Sequence, residues 1–282
     1  MPQIPVILLH AGAGGVLQPA PRERVMTHLR GLAERLSADL QAGAEALDTV
    51  VNAVRSMEDH PDMNAGLGSK LQVDGLARLS AAVMNGAEER FAGVVNVEGL
   101  PNPILLARAL LDDDCRVLAG PGALARAREL GLPEGEVRTA ARIAEWEAGL
   151  HGLGGTVGAV ALDLRGHLAS ATSTGGRGME AVGRVSDTPT VAATYANAVA
   201  AVSLTGVGEQ IVDGAIAARL VALVEGGLSL AEARDRLVTQ MRRRGWQAGF
   251  IAVDARGEAV HAFTTPAMSW WSVGPEGSRG AS

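Results

Sequence analysis

The apolar positions of this chain follow two rhythms. Val6 to Leu9 is an unbroken apolar run closed by Ala11-Gly12-Ala13-Gly14-Gly15, which predicts a buried strand ending in a tight turn. From Pro21 to Gln41 the residues Val25, Leu29, Leu32, Leu36 and Leu40 recur at spacings of three and four, one face of an amphipathic helix. Leu47, Val50, Val51 and Val54 predict a second helix from Ala44 to Met57. His60-Pro61-Asp62 predicts a loop after it, because proline biases the preceding residue away from helix. Leu76 to Met84 and Phe91 to Val97 read as a strand pair around Asn85-Gly86-Ala87-Glu88. Helices are expected from Pro103, a residue suited to a first helical turn, and over Gly122 to Leu130. Residues 131–155 are polar and small, end in His151-Gly152-Leu153-Gly154-Gly155, and read as a linker.

Strand signals open the second half. Thr156 to Asp163 and His167 to Thr174 predict a hairpin around Arg165-Gly166. Val199 to Leu204 predicts a strand running into Thr205-Gly206-Val207-Gly208-Glu209. Helices are expected over Gln210–Val224 and Ser229–Arg242, then a last hairpin of Gly249–Asp254 and Glu258–Thr264. Hairpins and sequential helix pairs, without regular βαβ alternation, point to an α+β fold of sheets between helix layers.

Composition narrows the function. Hydrophobic residues are 47% and charged residues 20%, the balance of a soluble globular protein. A net charge of −6 and an aromatic content of 3% argue against nucleic acid as partner, which needs basic surface and stacking platforms. No apolar run reaches the roughly 20 residues that span a bilayer, so no membrane partner is expected. The start, Met1-Pro2-Gln3-Ile4-Pro5, lacks a basic leader, and a cytoplasmic protein is expected. Cys115 is the only cysteine; its apolar flank suggests a buried core thiol, and no internal disulfide can form. Lys70 is the only lysine and is followed by Leu71, so there is no Walker A loop. The six histidines show no His-Glu-x-x-His or i, i+4 pair, and no Gly-x-Ser-x-Gly elbow is present.

Thr156 suits a rarer chemistry. A threonine hydroxyl needs a base. If the bond before Thr156 is cut, its own α-amine, with a pKa of roughly 8, becomes that base. Gly154-Gly155 permits backbone conformations closed to other residues. From Gly-Gly-Thr alone, a plain strand start is the better reading. Gly12, Gly14 and Gly15 are likewise better read as a close-packed turn than as a phosphate site. Trp270 and Trp271 read as an apolar C-terminal anchor.

The wider pattern changes the balance. Leu9-His10-Ala11-Gly12-Ala13-Gly14, Asn64-Ala65-Gly66-Leu67-Gly68-Ser69 and Gly155-Thr156-Val157-Gly158-Ala159-Val160-Ala161-Leu162-Asp163 follow one another along the chain. Ala171-Thr172-Ser173-Thr174-Gly175-Gly176, Gly183-Arg184-Val185-Ser186-Asp187-Thr188-Pro189 and Thr205-Gly206-Val207-Gly208-Glu209 complete the set. In this order the segments resemble the plant-type asparaginase/isoaspartyl peptidase family of N-terminal-nucleophile hydrolases.

The resemblance implies a four-layer αββα sandwich. It also implies self-cleavage between Gly155 and Thr156 into an α chain (1–155) and a β chain (156–282), one folding unit assembled as a homodimer of such heterodimers. The implied substrates are L-asparagine and β-aspartyl peptides. Thr156 is the implied nucleophile and Thr174 the residue that holds its hydroxyl. Asn64 is expected to assist processing. Arg184 is implied to grip the substrate α-carboxylate and Asp187 its α-ammonium, with Gly208 in the same substrate-binding set. Thr205 and the Gly206 N–H are expected to form the oxyanion hole. No organic cofactor is implied. The loop with Met57, Glu58, His60 and Met63 resembles the family's sodium loop, where backbone carbonyls hold the ion.

The chain departs from the family pattern at Ser80, Asn85, Ser186 and Val207, where aspartate, aspartate, glycine and threonine are usual. These departures motivate an alternative, an uncleaved non-catalytic homologue that binds amino acids. A glycosylasparaginase-like hydrolase is a second alternative, although Gly155 stands where those enzymes usually carry aspartate. Nucleotide binding by the Gly12–Gly15 loop is a third.

Overall fold

The structure, a computed structural model, describes residues 4–150 and 155–282. The expected glycine-rich end of the linker, residues 151–154, lies outside the described residues. In the first half the elements are β1 (Val6–Gly14), α1 (Pro19–Gln41), α2 (Ala46–Glu58), β2 (Leu79–Asn85), β3 (Arg90–Val97), α3 (Pro103–Leu110), β4 (Val117–Ala119), α4 (Gly120–Glu129) and α5 (Ala140–Glu147). After residue 155 come β5 (Val157–Leu162), β6 (Leu168–Thr174), β7 (Thr194–Ala196), β8 (Ala200–Gly206), α6 (Gly208–Gly214) and α7 (Ile216–Glu225). The chain ends with α8 (Leu230–Arg244), β9 (Ala248–Asp254), β10 (Ala259–Phe263), β11 (Ala267–Gly274) and β12 (Gly277–Ala281).

The strands form two sheets. One has eight strands in the order β12-β11-β1-β5-β6-β2-β3-β4, and the other has four in the order β10-β9-β8-β7. Strand parity explains their unbroken apolar runs. Ile7 and Leu9 of β1, and Val157, Ala159 and Ala161 of β5, join a cluster with α1, α2 and α3. Their neighbours Val6, Leu8, Val160 and Leu162 join a different cluster that includes Ala201, Ile251 and Val253 of the smaller sheet. Side chains alternate along a strand, so a strand buried on both sides must be apolar at every position. A further cluster packs β8 and β9 against α7 and α8, through Val202, Leu204, Phe250, Leu220 and Leu237.

The leucine stripe of α1 is buried as its spacing requires, with Leu29 and Leu40 fully enclosed. Several expectations need correction. The linker contains α5, capped by the Thr139 hydroxyl accepting from the Arg142 N–H. The helix expected over Gln210–Val224 is two helices, broken where Ala215 takes the left-handed φ of 44°. Trp270 and Trp271, read as an apolar anchor, do pack on the core, as part of the unexpected strand β11 that pairs with β1. Cys115 is exposed, in the turn leading to the edge strand β4, whose own Val117 is exposed too. An edge strand has one side open, and an apolar flank there does not imply burial.

Candidate active site

Antiparallel pairing brings the predicted residues to one end of the sheets. Val157 pairs with Ser173, so Thr156 at the start of β5 meets Thr174 at the end of β6. The Thr156 Oγ1–H donates to Thr174 Oγ1 at 3.1 Å, and the Gly176 N–H donates to the same oxygen at 3.1 Å. Thr156 is 7% exposed and Thr174 3%, so the hydroxyl pair sits at the margin of the core.

Gly155 is constrained by its neighbours. Its φ is +123°, and a Cβ there would come within 2.5 Å of the Asn64 Cβ. Gly12 presses from another direction: with φ +108°, its Cβ would lie 2.7 Å from the Gly155 Cα. Gly12 of the first motif therefore makes room for the bond before Thr156, whereas a Cβ on Gly15 would meet open space. Asn64 is locked in turn. Its Nδ2 donates to the Gly176 carbonyl at 2.5 Å and its Oδ1 accepts from the Lys70 N–H at 2.8 Å. A cavity of about 500 Å³ opens beside Gly155 and Asn64, with Lys70 and Arg142 in its wall. Lys70 is mostly buried, which lowers its pKa.

The smaller sheet delivers Thr205 and Gly206 at the end of β8. Thr205 Oγ1 accepts from the Ala13 N–H at 3.1 Å, joining the two sheets beside the Gly12 turn. Gly206 has φ +144°, and a Cβ there would strike the Gln247 carbonyl oxygen.

Arg184 and Asp187 meet over Gly208. A Cβ on Gly208 would lie 2.6 Å from Asp187 Oδ1 and 2.8 Å from Arg184 Nη2, so only glycine fits beneath both. Asp187 is 4% exposed, which rules out an ordinary surface pair. Burial pushes its pKa up to about 6, against the pull of the Arg184 charge. Among the described residues its Oδ2 has no hydrogen-bond partner, and neither do the buried Ser186 Oγ and Thr188 Oγ1. The Arg184 guanidinium is engaged by Glu209 at 3.0 and 3.2 Å, a partner the motif reading did not single out.

Glu58, expected only as a main-chain member of the sodium loop, has a side chain with a separate role. The Glu58 side chain is fully buried at the end of α2. It accepts from Ser173 Oγ at 2.6 Å and from the Ile104 N–H at 3.2 Å, tying α2 to β6 and to the start of α3. Burial raises its pKa to about 8 despite these donors. Of the departures from the family pattern, Ser80 and Asn85 are accommodated by local hydrogen bonds. Ser80 Oγ accepts from the Asn96 N–H, Asn85 Oδ1 accepts from the Ala87 N–H, and Val207 stands at the start of α6 without a side-chain cap.

The hydroxyl pair, and the carboxylate and guanidinium beside Gly208, stand in a fold that comparison with known proteins places among the hydrolases. The chain belongs to the asparaginase family: the family model described as asparaginase matches residues 3–154 and 149–279. An isoaspartyl peptidase/L-asparaginase of Nostoc is 40% identical over 275 residues, covering 90% of this chain and 86% of its own length. An isoaspartyl peptidase of Escherichia coli is 38% identical over 299 residues, covering 95% and 93%. A plant-type L-asparaginase of Pyrococcus abyssi is 36% identical over 294 residues, covering 94% of each.

Proposed function

We propose that this protein cuts itself between Gly155 and Thr156 and then hydrolyses the side-chain amide of L-asparagine and β-aspartyl peptides. The observation that carries the reading is the Thr156–Thr174 hydroxyl pair directly after a glycine held at φ +123° under Asn64. In self-cleavage the Thr156 hydroxyl attacks the Gly155 carbonyl carbon. The resulting ester is hydrolysed by water, leaving a Gly155 carboxylate and a free Thr156 amine.

In turnover the amine accepts the hydroxyl proton as Oγ1 attacks the substrate amide. Thr205, which accepts from Ala13, would donate its own proton to the oxyanion beside the Gly206 N–H. Ammonia or a peptide amine leaves, and water releases aspartate from the Thr156 ester. Arg184 takes the substrate carboxylate, displacing Glu209, and the unpartnered oxygen of Asp187 takes the ammonium. A planar guanidinium suits a carboxylate, and a buried carboxylate gains most from a cation.

The layering belongs to the same proposal. The three hydrophobic clusters support helices, sheet, sheet and helices in four αββα layers. Residues 1–155 and 156–282 would form one folding unit, and two such units a homodimer. A sodium ion is the only ion proposed. Among the described residues no three His, Cys, Asp or Glu side chains cluster to hold a metal. The carbonyls of Glu58, Pro61 and Met63 crowd Gly66 and Gly68, an oxygen donor set that fits a hard cation. Main-chain oxygens among Met57, Glu58, His60 and Met63 would hold it, and it would stiffen the loop. Among the described residues no helix is long and apolar enough to cross a membrane.

The test is to incubate purified protein with L-asparagine, β-aspartyl dipeptides and glycosylasparagine, with denaturing mass analysis of the same sample. Two fragments breaking at Gly155/Thr156 and aspartate release are expected. The Thr156→Ala variant should remain one chain and release none. Asparaginase activity in that variant would sink the assignment, and a persistent single wild-type chain without turnover would favour the non-catalytic homologue.

A further inference from the structure

His10 is fully buried, and its place follows from strand parity. On β1 it shares the face of Val6 and Leu8, which looks toward the smaller sheet. Its Nδ1 lies 3.0 Å from the Thr156 carbonyl oxygen and its Nε2 lies 2.9 Å from Ser203 Oγ on β8. We propose that His10 is a positioning residue for hydrolysis at Thr156, holding the Thr156 carbonyl and anchoring it through Ser203, Thr172 and Thr194 to the smaller sheet. This rests on Thr156 being the nucleophile, as proposed above.

The direction of every bond in the chain follows from one fact. A carbonyl oxygen can only accept, so His10 Nδ1 carries the proton. Burial depresses the His10 pKa to about 3, so the ring is neutral and Nε2 is bare. The Ser203 O–H must then donate to Nε2. Ser203 Oγ in turn accepts from Thr172 at 2.8 Å, and Thr172 Oγ1 accepts from Thr194 at 2.8 Å. Thr172, Thr194 and Ser203 are all fully buried. Aligned hydrogen bonds in a dry interior polarise one another.

The surroundings are shaped for this bond. A Cβ on Gly158 would strike both Ser203 Oγ and His10 Nε2, so glycine there leaves the space they share.

The need for such an anchor arises on cleavage. Thr156 then becomes a chain end, and Val157 is the first residue paired with Ser173. Two points fix the freed residue: Thr174 holds its hydroxyl and His10 its carbonyl. Loss of the second point leaves the amine and hydroxyl free to turn together away from the substrate.

Asparagine and glutamine separate this role from packing. An Asn Nδ2 at position 10 reaches where Nδ1 does and keeps the bond to Thr156; a Gln amide reaches toward Ser203 instead. With His10→Gln, kcat should fall on the order of 100-fold, the scale of a misplacement near 1 Å, while KM stays within about twofold. His10→Asn should stay within about threefold of wild type in both. Thermal unfolding of each variant monitors folding, and 15N shifts of the labelled wild-type histidine should show a protonated Nδ1 and a bare Nε2. A protonated Nε2, equal losses in both variants, or a fully active Gln variant would each overturn the proposal. Wild-type protein inactive on every substrate would overturn the Thr156 reading along with it, whereas active wild type with a fully active Gln variant overturns the His10 role alone.

Discussion

Asp187 carries a tension that solution experiments can read. Burial raises its pKa from 3.8 to about 6. The folded state therefore binds the proton more tightly than the unfolded state does. The stabilisation from the neutral form is full below the unfolded value and is lost as pH rises through about 6. At pH 8 the buried charge costs on the order of 3 kcal/mol. Asp187→Asn should thus raise the melting temperature at pH 8 while raising KM for asparagine on the order of 10-fold or more. A variant that melts lower and keeps its KM would contradict both halves. In the wild type, kcat/KM should fall as the pH drops below about 6, because protonated Asp187 no longer attracts the ammonium. A profile flat from pH 7 to pH 5 would remove Asp187 from the clamp. Gly155 gives a second test. Gly155→Ala places a side chain at φ +123°, 2.5 Å from the Asn64 Cβ, and should leave the chain uncut on a denaturing gel. Cleavage at the wild-type rate would show that this packing is irrelevant to the reaction. The motifs single out Thr156, Thr174, Arg184 and Asp187 in the sequence. The hydroxyl relay from His10 was not legible there, since Ser203, Thr172 and Thr194 are distant in sequence and ordinary as strand residues.

Elements were legible where they bury a regular face. The stripe of α1 from Val25 to Leu40 announced itself because every member enters one cluster. The helix α5 did not, because none of its residues is buried. It is held instead by Arg142 donating to the Gly68 carbonyl at 2.7 Å, and by Trp146 lying against Gly75, contacts that leave no periodic trace. The short strands β4 and β7, of three residues each, are too brief for a period to show. The join of α6 and α7 was hidden for another reason. Ala215 sits at φ 44° between α6 and α7, and alanine gives no hint of a left-handed break. That conformation penalises a Cβ and glycine adopts it freely. Ala215→Gly should stabilise the protein by roughly 0.5–1 kcal/mol, read from denaturant midpoints. A loss of stability would mean that the alanine methyl packs better than the backbone is strained.

At the scale of the molecule, the proposed break between residues 155 and 156 would fall inside a sheet that neither half can build alone. Along the eight-stranded sheet, β12 and β11 come from after the break, β1 from before it, β5 and β6 from after, and β2, β3 and β4 from before. The halves therefore meet along the seams β11–β1, β1–β5 and β6–β2. The helix α2, from before the break, packs on β5 and β6 from after it. Cys115 is the only cysteine, so no disulfide can join the pieces. Their cohesion is non-covalent: hydrophobic burial, ladder hydrogen bonds, and side-chain bonds such as Ser173 to Glu58, Asn64 to Gly176 and Arg165 to Glu45. Separating them would expose both faces of β1 and β5 and leave strand edges unpaired. Processed protein should accordingly elute as one species in native buffer at the volume of the uncut Thr156→Ala variant. Its fragments should part only in denaturant, and both should lose structure in a single urea transition. Refolding should then depend on protein concentration, because cleavage turns an intramolecular pairing into a bimolecular one. Fragments that separate in native buffer would show that the interleaved sheet is not the form the processed protein takes.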